Sequence, residues 1–136
     1  MRKTFHIASL TLALFAITAA SAADAQRMRS SYRSVQGPYG RGYSASASAV
    51  RGGGTAAVTR GVQTNGGYGA TTTRGHTVSG GTYNGGATHT TNNGTTWGRS
   101  TTATANGDGT GSYSSTVTGP AGGSTTVSGG VSHTAP

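Results

Sequence analysis

The stretch Thr110-Gly111-Ser112-Tyr113-Ser114-Ser115-Thr116-Val117-Thr118 decides how this chain is read. Hydroxyl residues fill every even position, while Tyr113 and Val117 stand at odd ones. Successive side chains of a strand point to opposite faces, so a period of two describes a strand with one hydroxyl face and one apolar face. Thr, Val and Tyr also suit a pleated surface. Gly119-Pro120-Ala121-Gly122-Gly123 then supplies turn chemistry, and Ser124 begins another hydroxyl-rich segment.

The same alternation extends back to Thr82: Thr88, Thr90, Thr96, Ser100, Thr102 and Thr104 are even, whereas Tyr83, Ala87, Trp97 and Ala103 are odd. Before Ser79 the phase is reversed, with Val58, Val62, Tyr68 and Val78 even and Thr71, Thr73 and Thr77 odd. A bulge or turn near Ser79-Gly80-Gly81 would reconcile the halves. Glycine pairs at Gly52-Gly53, Gly66-Gly67, Gly80-Gly81 and Gly122-Gly123 lie on a 14-residue grid, whose intervening points are Gly94-Thr95 and Asp108-Gly109. Gly-Gly, Asn-Gly and Asp-Gly tolerate positive φ and favour tight turns. The expected fold is therefore all-β and repetitive, a hairpin meander or a β-solenoid, over residues 52–136; a largely disordered chain is the alternative.

Composition limits what such a sheet can bury. Every Leu, every Ile and both Phe precede Gln26, leaving scattered Val and Tyr, Met28 and Trp97 for the rest. A compact apolar core is excluded, and with no Cys there are no disulfides to replace it. Backbone pairing and repetition remain as the sources of order.

Residues 1–25 read as a cleavable secretory signal peptide, helical in its apolar run. Arg2 and Lys3 precede the uncharged run Ile7 to Ala19, and Ala20-Ser21-Ala22 and Ala23-Asp24-Ala25 offer cleavage sites. The expected location is the bacterial periplasm or the outside of the cell. Residues 26–51 are rich in Arg, Tyr, Gly and Ser and read as a flexible cationic arm. Ser44-Ala45-Ser46-Ala47-Ser48-Ala49 allows a short strand there, although a small-residue linker is the preferred reading.

The formal net charge is +8, and from Ser100 onward no Lys or Arg occurs. Arg27, Arg29, Arg33, Arg41 and Arg51 are the candidate anion-binding residues, because guanidinium forks suit phosphate and carboxylate and the neighbouring tyrosines can stack on bases or sugars. The partners in view are an anionic polysaccharide, lipopolysaccharide or a lipid surface, with nucleic acid less favoured, and a second copy of the chain through self-association. No small-molecule substrate is expected.

Catalysis is not expected. The chain has no Cys and no Glu, and Asp108 is the one carboxylate after Gln26, so paired-carboxylate chemistry has no partner. His76, His89 and His133 lack close ligand spacing, and Asn106-Gly107-Asp108-Gly109 reads as a turn rather than a calcium loop. No metal and no cofactor are expected. Thr102-Ala103-Thr104 and Thr116-Val117-Thr118 match the Thr-x-Thr ranks of ice-binding surfaces, a minor alternative.

Through Thr116-Val117-Thr118-Gly119-Pro120-Ala121-Gly122-Gly123-Ser124-Thr125-Thr126, with Thr101 to Gly111 before it, the chain resembles uncharacterised exported Gly/Thr-rich repeat proteins of Proteobacteria. The resemblance covers roughly residues 50–130. It implies an exported, non-enzymatic protein of the envelope or matrix and supplies no site residues. The function expected is structural or adhesive, with anion binding through the arginine-rich arm as the alternative.

Overall fold

The structure, a computed structural model, describes residues 26–132. The signal-peptide reading lies outside them, as does His133. Eight strands form one open antiparallel sheet in sequence order: β1 (Arg27–Gln36), β2 (Gly42–Gly52), β3 (Thr55–Thr64), β4 (Gly69–Ser79), β5 (Thr82–Thr91), β6 (Thr96–Ala105), β7 (Thr110–Thr118) and β8 (Ser124–Ser132). A single 3-10 turn, Pro38–Gly40, joins β1 to β2. The topology is a meander, not a solenoid. Strands of this length span about 33 Å, and eight of them side by side span about 34 Å.

Residues 26–51, expected as a flexible arm, instead form β1 and nearly all of β2. The period of two is present there but is carried by charge and size rather than by apolar residues. Arg27, Arg29 and Arg33 alternate with Met28, Ser30 and Ser34, and the Ser/Ala run of β2 alternates strictly. The alternative of a largely disordered chain fails for the described residues, where strands and tight turns account for nearly the whole length.

Register fixes which side chains share a face, because directly opposed residues in an antiparallel pair point the same way. The pairs Arg29↔Ala49, Ala49↔Val58, Val58↔Arg74, Arg74↔Ala87, Ala87↔Arg99, Arg99↔Val117 and Val117↔Thr125 make one row across all eight strands. The phase reversal near Ser79 is a two-residue turn: Ser79 pairs with Thr82 around Gly80-Gly81. The paired residues differ by an odd number there, so the numbers on a given face change from even to odd. A second such turn, Gly53-Gly54 between the paired Gly52 and Thr55, reverses the phase once more. Both turns need positive φ, at +55° and +72° for Gly53 and Gly54 and +55° and +74° for Gly80 and Gly81.

One face of the sheet is hydroxyl-rich. Its cross-strand neighbours bond to one another: Thr59 to Thr73 at 3.3 Å, Thr82 to Thr104 at 3.3 Å, Thr116 to Thr126 at 2.7 Å, and Thr102 donates to Asn84 Oδ1 at 2.9 Å. The opposite face, expected to be thinly apolar, carries the arginines and histidines as well as Val, Ala and most strand aromatics. Among the described residues none is buried, so the fold is a single layer without a core.

Asparagines tie the turns at one end together. Asn65 donates its backbone N–H to Gly42 O at 2.9 Å and its side-chain amide to Gly40 O at 3.0 Å. Asn92 does the same one hairpin later, to Gly69 O and Gly67 O, both at 3.0 Å. Each turn is thus anchored to the preceding turn at the same end.

Candidate anion-binding face

The arginines of the strands all lie on one face. Arg27, Arg29 and Arg33 on β1, Arg51 on β2, Arg60 on β3, Arg74 on β4 and Arg99 on β6 fall into one set by register. Their numbers are odd, then even, then odd, which tracks the two phase-reversing turns. Arg41 stands apart in the β1–β2 connection, where its backbone N–H donates to Pro38 O at 3.3 Å. Four of the five candidate residues therefore share the face, and Arg60, Arg74 and Arg99 join them from outside the expected arm.

Among the described residues no carboxylate lies beside these cations. Asp108, the one acidic side chain in the described residues, sits in the β6–β7 turn. Hydrogen bonds from the Thr110 hydroxyl and from its backbone N–H, the latter at 2.8 Å, hold the Asp108 carboxyl below its ordinary pKa. Arg27 and Arg51 are directly opposed, an arrangement of like charges that costs stability unless an anion lies across them.

Two aromatic stacks flank the row that holds Arg29, Arg74 and Arg99. His76 faces Gly85 across β4 and β5, and Tyr83 lies over that glycine: a Cβ at Gly85 would collide with the Tyr83 hydroxyl and ring. The missing side chain makes room for the Tyr83 ring, which stacks on His76 with centroids 5.7 Å apart and planes at 23°. On the other side His89 faces Trp97 and stacks on it at 5.3 Å and 13°. Thr72, opposite His89, fixes that imidazole through its Oγ1, 2.9 Å from Nδ1.

Beside the His76–Tyr83 stack lies a shallow depression of about 500 Å³, lined among others by Arg51, Arg74, Arg99, His76, Tyr83 and Ala87. Gly85 and Ala87 keep its floor low. Exposed guanidinium forks beside aromatic rings can accept carboxylate, sulfate or phosphate groups while the rings meet a sugar or base. Among the described residues no three of the His, Cys, Asp and Glu side chains come together as a metal site would require. Sequence reasoning passes over Arg60, Arg74 and Arg99 because each is a lone arginine in a Thr/Gly-rich segment. Their common parity with the apolar residues of the same strands is the available signal. No protein-family model matches this chain, and no curated protein and no solved structure matches it either.

Proposed function

We propose that the chain is an exported, non-enzymatic adhesive module that holds an anionic polymer, foremost an acidic polysaccharide, against the arginine face of its sheet. The observation that carries this reading is the gathering of all the strand arginines on one face with no carboxylate of the described residues among them. Uncompensated like charge on a rigid surface raises the local concentration of polyanions and speeds their association. The His76–Tyr83 and His89–Trp97 stacks favour a ligand with flat or ring-shaped units over a bare ion. The signal-peptide reading of residues 1–25 supports a periplasmic or extracellular setting, where envelope and matrix polysaccharides are the abundant polyanions. The 14-residue glycine spacing is taken as the repeat, one strand with one turn. The neutral hydroxyl face is the back of the sheet.

The test is retention on an immobilised acidic polysaccharide, on the same polymer after reduction of its carboxyl groups, and on single-stranded DNA. Salt-sensitive binding to the acidic polymer and none to the reduced one is expected. Equal retention on both forms would sink the proposal, and tighter binding to DNA would move the ligand class to nucleic acid.

A further inference from the structure

The two edges of the sheet differ in charge. Strand edges expose unpaired backbone groups, and proteins guard them with charged residues, Pro or bulges. β1 carries Arg27, Arg29 and Arg33 in ten residues. β8, with the sequence STTVSGGVS, has no charge and no Pro, and its register against β7 runs unbroken from Thr118↔Ser124 to Thr110↔Ser132. Among the described residues one edge is guarded and the other is open.

The hydrogen-bond phase says which groups of β8 are free. Gly119 N–H donates to Gly123 O at 2.8 Å, closing the β7–β8 connection. Bonded pairs recur every second residue in an antiparallel ladder, so the odd residues of β8 bond to β7. The N–H and C=O of Thr126, Ser128 and Gly130 therefore point away from the sheet.

We infer that β8 pairs with β8 of a second copy, antiparallel about a two-fold axis at Ser128. Ser124 then faces Ser132, Thr126 faces Gly130, and Ser128 faces its own counterpart, which engages the outward backbone groups of both chains. Val127, 57 % exposed, comes opposite Gly129, and Val131, 68 % exposed, comes opposite Thr125. An axis normal to the sheet keeps the faces continuous, so both arginine faces lie on the same side. Pairing two β1 edges would instead set arginine against arginine. The pairing rests on edge chemistry alone and stands whether or not a polyanion is the ligand.

The experiment is mass by light scattering of the protein recovered after export, alongside two variants. The wild-type chain is expected to show twice the monomer mass. Ser128→Pro removes an N–H that β7 does not use and is tolerated at an edge, so the sheet persists by circular dichroism while the dimer is lost. Ser128→Cys places two sulfurs across the axis at a Cα separation of about 5.5 Å, within disulfide reach, so a covalent dimer forms on mild oxidation. Ser112→Cys on interior strand β7 provides the comparison, and the native chain has no Cys to confuse it. A monomeric wild type overturns the inference, as does cross-linking of the Ser112→Cys variant as fast as that of Ser128→Cys. Growth beyond a dimer also overturns it, since head-to-tail β1–β8 pairing does not close.

Discussion

Replacing both Arg74 and Arg99 with Gln is the sharpest perturbation of the proposed face. These residues lie in one cross-strand row with Ala87 between them, two strand spacings or about 9.5 Å apart. Both line the depression beside the His76–Tyr83 stack. Gln keeps most of the side chain's bulk and removes only the charge and the fork. If each arginine neutralises one charge of a polymer with the density of a single strand, the double variant lowers the slope of log K against log salt by about 1.4. Exposed ion pairs contribute about 0.2–1 kcal/mol each, so affinity at fixed salt should fall by up to about fivefold per residue. The assay is titration calorimetry with an acidic polysaccharide at several salt concentrations, with Arg41→Gln as the control. Arg41 lies in the connection at the end of the sheet and should change the affinity little. An unchanged slope in the double variant, or an equal loss in Arg41→Gln, would refute the argument that the face, rather than overall charge, does the binding.

Other consequences follow from individual contacts. Gly85→Val expels the Tyr83 ring from its place over residue 85 and breaks the stack on His76, costing about 0.5–1.5 kcal/mol of the pair's interaction, read by denaturant unfolding. Asn65→Ala removes the amide bonds to Gly40 O and to Gln36 Oε1 and should raise amide exchange in the β1–β2 connection selectively, with about 1 kcal/mol lost. The Asp108 carboxyl is depressed by its Thr110 bonds, so the stability it gives the β6–β7 turn is present above the ordinary carboxylate pKa. That stability fades as pH falls through the lowered folded value. Exchange of the Thr110 amide should accelerate over that acid range in the native chain, and Asp108→Asn should flatten the dependence.

The strand pattern is legible wherever hydroxyl and larger residues alternate, as in Thr82–Thr91 and Thr110–Thr118. It is hidden in Arg27–Gln36, where the alternation is written in arginine. Reading Arg27, Arg29 and Arg33 as solvated charge conceals the fact that they share a parity, and the same parity on β2 belongs to Tyr43, the alanines and Arg51. The turn near Ser79 is visible in the sequence because the phase of Thr and Val reverses there. The equivalent reversal at Gly53-Gly54 leaves no such mark, since few patterned residues precede it.

By itself the sequence determined the β character, the absence of a core and the places where glycine permits a tight turn, because these are local consequences of side-chain size and backbone freedom. The position of Arg60, Arg74 and Arg99 beside the arginines of β1 and β2 was decided only by tertiary structure. Whether two distant cations share a face depends on the register of every intervening strand, and each two-residue turn exchanges odd for even. The same holds for the stacks. His76 meets Tyr83, and His89 meets Trp97, because ladder pairing brings residues from adjacent strands into contact over a glycine or beside a threonine. The edges follow that rule as well: among the described residues β8 is open because it is last in the meander and carries no charge, and the first of these facts is a property of the sheet as a whole.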